Sequence, residues 1–301
     1  MTICLMKISM LVKLYHYGNA AAYARIETGP MISRFLLMLG LLLCLAIAGV
    51  AQDEAKVSAR NAVSEGVQAF RQAHYEDAIE CFEQAVTLDP EFVQARMYLA
   101  ATYLQVFEPG VDTPDNVILA TKALDQYSEI LRSNPSDVES LKGVAYLKLQ
   151  LNNFQEARET YAKAIALDPG DPELLYAAAV ANWSNASQDI EAEKAKLDAE
   201  SEYSLILSDS CSDVRAKSLA IVDSGIAMLN KAMSLRKDYV DAMTYLNKLY
   251  VLRADLECGS KKNFKADIKQ SNEWSDRAAA ARKKQAEAAE KDSQDQTPDK
   301  P

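Results

Sequence analysis

Three stretches of this chain repeat one pattern: a small residue, an aromatic, a small or aliphatic residue, and then a proline. They are Ala78, Phe82, Ala85 and Pro90; Ala123, Tyr127, Ile130 and Pro135; and Ala157, Tyr161, Ala164 and Pro169. The second and third sets lie 34 residues apart, and the first and second 45 apart, which is one such period plus an 11-residue insertion. Spacings of three and four place the side chains of each set on one helix face. Proline then ends the helix, because it lacks an N–H and pushes the preceding residue toward extended geometry. A second register runs through Gly66, Ala100, Ala145 and Ala179, spaced 34, 45 and 34. Small residues there let two helices approach closely, and a larger side chain would overpack at a cost of about 1–3 kcal/mol. A period of this length implies helix pairs that each pack only on their neighbours.

The pattern, with "LDP" at 88–90 and again at 167–169, resembles the tetratricopeptide repeat (TPR) family. The resemblance is specific over residues 59–170, extends to 171–184 and 214–252, and is absent from the insertion and the tail. It implies an all-α, right-handed solenoid of antiparallel helix pairs whose inner face holds another protein. Residues 106–116 carry Pro109, Gly110 and Pro114 and read as a long loop between the helices of the second pair. Register returns at Gly225, Leu229 and Ala232, which lie 68 residues beyond Ala157, Tyr161 and Ala164, with Lys237 in place of the proline. The expected organisation is three repeats and the first helix of a fourth over 52–187, a charged helical insertion over 188–213, a final pair and capping helix over 214–285, and a disordered tail over 286–301. Within the insertion, 188–208 reads as a polar helix, with Glu191–Lys194 and Glu193–Lys196 at spacings that support an exposed face.

Residues 35–51, FLLMLGLLLCLAIAGVA, follow Arg34 and end in small residues. That layout matches a signal peptide over 31–51 beginning at Met31, with 1–30 an over-extended start. The alternative is an uncleaved membrane anchor, although a spanning helix wants about 20 apolar residues. Removing 1–51 leaves 29 basic against 42 acidic residues, a net charge of −13. Phosphate-backbone binding needs a basic stripe, so nucleic acid is a poor partner. The whole pattern resembles exported bacterial TPR proteins and implies an extracytoplasmic location, periplasmic in a bacterium. The anchored alternative implies the inner membrane and a structural role in an envelope assembly.

Catalysis finds no support in the sequence. His74 is the one histidine beyond the leader, and it falls in the turn between the first two helices. No glycine-rich phosphate loop, paired-cysteine metal motif or nucleophile elbow is present, and no cofactor or metal is expected. Carboxylates on 188–208 are the remaining enzymatic alternative.

The family resemblance assigns the inner surface to Phe70, Met97, Leu104, Tyr146, Leu149, Tyr176 and Trp183, an apolar and aromatic set suited to a protein or peptide ligand. Tyr146, Tyr176 and Trp183 are its expected anchors, and segment 188–208 is the alternative cover. Some TPR proteins grip a chaperone's terminal carboxylate with Lys, Asn and Arg. The matching positions here hold Val63, Val67, Tyr98, Glu139 and Gly143, which excludes that mode. Three cysteines follow the leader: Cys81, Cys211 and Cys258. Export permits disulfides, and the last two fall near the same end of one helical hairpin, where a bond between them needs some slack in the loops. The third is left unpaired.

Overall fold

The computed structural model describes residues 30–197 and 203–295. The chain divides into two compact units, 1–57 and 58–301. In the first, the described part is the leading portion of helix α1 (Pro30–Arg71). The proposed over-extended start therefore lies outside the described residues, except for Pro30.

The second unit holds the end of α1, then α2 (Tyr75–Leu88), α3 (Val93–Val106), α4 (Pro114–Ser133), α5 (Val138–Gln150), α6 (Phe154–Leu167), α7 (Pro172–Lys194), α8 (Cys211–Leu235), α9 (Val240–Asp255) and α10 (Lys261–Asp295). From α2 onward each helix packs on its neighbours in sequence, and α7 also touches α5 and α9. That is a helical solenoid, with α5, α7 and α9 adjacent along one side.

The repeating stripe is the core. Ala78, Phe82 and Ala85, Ala123, Tyr127 and Ile130, Ala157, Tyr161 and Ala164, and Leu229 and Ala232 are all at most 5% exposed. Gly66 lies against the Phe82 ring, so the small register marks close helix approach there, and Gly225, at the stripe position of Ala157, lies against Leu249. Asp89, Asn134 and Asp168, each just before its proline, leave helical geometry at φ −135°, −135° and −130°. Arg236 does the same at φ −133° although Lys237 follows, so packing ends α8 there without a proline.

Asn116 orders the insertion. Its side-chain amide donates to the carbonyls of Glu108 and Val111 at 2.8 and 2.7 Å, and its side-chain oxygen accepts from the Glu108 N–H at 2.8 Å. Thr113 caps α4, and Pro114 begins it.

Three boundaries differ from the sequence expectation. Helix α7 runs on to Lys194, because Ala186 and Ile190 continue its buried stripe from Ala179 and Asn182. Residues 195–197 and 203–210 are turns and bends rather than helix, 198–202 lying outside the described residues. Leu205 and Ile206 are 2% exposed, and an apolar pair at adjacent positions suits a buried turn better than a polar helix. Helix α10 continues through 286–295, where a disordered tail was expected, because its Ala, Lys, Glu and Gln residues favour helix; 296–301 lie outside the described residues. Helix α8 begins at Cys211, and a disulfide joins that residue to Cys258 in the α9–α10 turn, with the Cα atoms 5.7 Å apart.

Candidate functional site

The end of α1 together with α3, α5, α7 and α9 supplies the first-helix face. Phe70, Met97, Leu104 and Tyr146 are half-buried along it, packed against the core of the first two pairs. Phe70 meets Tyr75 edge-on, ring centroids 5.4 Å apart. Leu149 is 8% exposed and belongs to the core with Leu141, Ala157 and Tyr161, so it is a packing residue rather than a contact surface. Ala101, one turn before Leu104, is exposed. The Tyr146 hydroxyl has no hydrogen-bond partner among the described residues, and burial raises its pKa.

Tyr176 and Trp183 are built into a cluster that sequence reasoning did not see. Tyr176 lies 5.3 Å from the Tyr239 ring and 5.5 Å from Tyr245, and Trp183 lies 5.5 Å from Tyr245. The Lys248 ammonium sits over both Trp183 and Tyr245, 4.5 and 4.4 Å from their centroids. The final pair thus half-covers these two residues. Within 188–208, Ile206 joins Ala254 and Phe264, and the Tyr203 ring meets Phe264 at 5.0 Å, while Ile190 and Leu205 are buried in the core cluster that Tyr176 and Trp183 also pack against.

Electrostatics tie the junctions. Glu173 accepts hydrogen bonds from the Tyr239 hydroxyl and the Arg236 guanidinium, which hold its carboxyl below the usual range. Burial, with Glu173 beside it, pushes the Tyr239 phenol well up. Burial and neighbouring acidic groups likewise push Tyr176 to about 12. Lys142 lies 3.1 Å from Glu139 and 3.3 Å from Asp171; burial opposes its charge, but the two carboxylates win and raise its pKa.

Lys248 was legible. The 68-residue offset that recovered Gly225 also maps Val180 onto Lys248, placing it in register with Ala101, Tyr146 and Val180. Tyr245 and Glu173 gave no such signal, because their roles come from contacts between distant segments. His74 is exposed, its Nδ1 3.9 Å from the equally exposed Asp77. Among the described residues no cluster of three metal-ligating side chains occurs.

A family model described as "Tetratricopeptide repeat" matches residues 64–105 and 120–172. No curated protein matches the chain. Among solved structures, a crystal structure of MamA protein aligns at 14% identity with TM-score 0.52, covering 76% of this chain and 94% of that one. MamA 41-end from Desulfovibrio magneticus RS-1 aligns at 13% identity with TM-score 0.52, covering 76% and 97%. At such identities the likeness is one of fold.

Proposed function

The chain is a tetratricopeptide-repeat protein, and we propose that it is a scaffold that docks another protein or a peptide along its first-helix face. The observation that carries this reading is the run of Met97, Ala101, Leu104 and Tyr146. It is a mainly apolar surface, its one neighbouring cation, Lys142, being paired with Glu139 and Asp171, on helices whose own pair is packed on the other side. Apolar area left wet costs about 25 cal/mol per Å², so covering it by a partner is favourable. Buried aromatics supply most of the affinity in such contacts. A helical or extended segment fits a face of this form.

The test is affinity capture with the chain lacking residues 1–51, compared with an Ala101→Arg variant. Ala101 is exposed, so arginine there leaves the fold intact while placing a charge on the face. Partners lost with Ala101→Arg support the reading, and identical capture by both removes it.

The scaffold acts outside the cytoplasm in this proposal. The apolar 35–51 stretch with its small-residue end supports export, and a Cys211–Cys258 bond suits an oxidising compartment. A mature N-terminus near Gln52 in the soluble extracytoplasmic fraction is expected. A full-length membrane species would favour the anchored envelope component instead.

A further inference from the structure

The insertion that breaks the repeat period carries a surface of its own. Val111, Val117 and Ile118 are 40%, 37% and 52% exposed, an apolar group on a loop and the first turn of the helix that follows it. Val111 and Val117 line one cleft with Phe107, Asp112, Leu151 and Asn152, between the insertion and the α5–α6 turn. Both walls are held. Asn116 clasps the loop through three hydrogen bonds, and the far wall is a closed turn in which the Asn153 N–H donates to the Lys148 carbonyl at 2.8 Å. A loop needed only to connect α3 to α4 could turn its valines inward or carry polar residues in their place. This one spends a buried asparagine on presenting them.

Asp112 is the charged residue that lines the cleft, and Glu108 and Asp115 flank it within the insertion. Glu108, Asp112 and Asp115 are exposed, and none of their carboxylates makes an ion pair among the described residues. Elsewhere on the surface carboxylates do find cations, as Glu83 finds Lys122, Glu156 finds Lys148 and Asp238 finds Lys284. Apolar residues rimmed by uncompensated carboxylates complement a segment that carries an aliphatic side chain between basic ones.

We propose that this cleft is a second docking site, for a basic segment of a partner protein that inserts an aliphatic side chain between Val111 and Val117 and sets lysine or arginine against Asp112 and its neighbours. The first-helix face binds by apolar contact; this one adds charge, so its affinity falls as salt rises.

The probe is a phage-displayed library of random peptides about a dozen residues long, selected on the chain lacking residues 1–51. Enriched peptides are expected to share an aliphatic residue flanked by Lys or Arg. They should bind Asp112→Lys and Val117→Ser variants at least about tenfold more weakly, each a loss of roughly 1.4 kcal/mol. Both positions are exposed, so helicity should be unchanged, and a Tyr146→Ala variant should bind these peptides like the parent. An acidic or uncharged consensus, no enrichment, or equal binding by Asp112→Lys overturns the proposal. Loss in Tyr146→Ala alone would move basic peptides to the first-helix face. Self-association that Ile118→Ser abolishes would make a second copy the occupant, and would equally overturn it.

Discussion

Gly66 and Phe82 are so close that a Cβ at position 66 would lie 2.6 Å from the ring's Cε1 and 2.9 Å from its Cδ1. The second turn from the end of α1 therefore rests directly on the aromatic of the repeat stripe. Gly143 repeats the relation against Tyr127, with 2.4 Å to Cε2, although it lies outside the small register read from the sequence. A Gly66→Leu variant is expected to lose about 1–3 kcal/mol through overpacking, while Glu76→Ala, on an exposed residue, should change stability by less than about 0.5 kcal/mol. Equal melting temperatures for the two would contradict this packing.

Ala73 and Asn152 hold equivalent turn positions at φ 59° and 60°, the left-handed region that suits glycine. In each turn the next N–H closes a bond five residues back, His74 to the Ala69 carbonyl and Asn153 to that of Lys148. Alanine in this conformation costs about 1 kcal/mol, whereas asparagine tolerates it. Ala73→Gly is expected to raise the midpoint of urea unfolding, and Asn152→Gly to move it less. A fall on Ala73→Gly would refute the turn geometry.

The Cys211–Cys258 bond closes a loop with a sequence separation of 47. In the chain-entropy model such a loop contributes about 4 kcal/mol, and usually less in practice. Thiol labelling after denaturation of the protein purified without reductant should find one reactive cysteine among those beyond the leader, Cys81. A Cys211→Ser, Cys258→Ser double variant should unfold at lower urea. Three reactive thiols would remove the bond.

Glu173 links α7 to the α8–α9 turn. Its folded pKa is lowered, chiefly by the hydrogen bond from Tyr239 and then by Arg236. Its stabilisation is therefore fully present above the ordinary carboxylate pKa of about 4.3 and is lost as pH falls through the lower folded value. Glu173→Gln should flatten that part of the acid limb of thermal stability. An unchanged slope below about pH 4 would show that the link contributes nothing.

Tyr146→Ala is expected to weaken partner binding by about 2 kcal/mol at little cost in melting temperature. Tyr176→Ala and Trp183→Ala should lower both affinity and melting temperature, because those rings pack on Tyr239 and Tyr245 as well as on any ligand. Calorimetric melting of the three variants beside a binding assay separates the roles. A Tyr146→Ala chain that binds normally while folded would shift function away from this face.

The stripe positions were legible because each sits at a fixed offset from the last, and burial at one predicts burial at the next. Phe82, Tyr127, Tyr161 and Leu229 are all core residues for that reason. Leu149 reads as inner surface by register, yet it turns into the core of its own and the following pair. A register names a helix face without saying how far the neighbouring helix reaches around it. The extension of α7 was missed where polar composition masked a continuing stripe of single buried residues, Ala186 and Ile190. The end of α10 beyond 285 was missed because a run of exposed Ala and Glu there holds helix by propensity rather than by burial.

By itself the sequence determined the helix pairs, their period, the residues between them and the place of the insertion, since all of these depend on spacing along one chain. The tertiary structure decided what lies over the inner face. Tyr245 and Lys248 close over Trp183, Ile206 turns away toward Phe264, and Met97, Leu104 and Tyr146 are left half-buried. The reason is that local periodicity records which side of a helix is apolar. Whether that side meets water, a partner or a distant part of the same chain depends on how the stacked pairs curve and where the last of them ends.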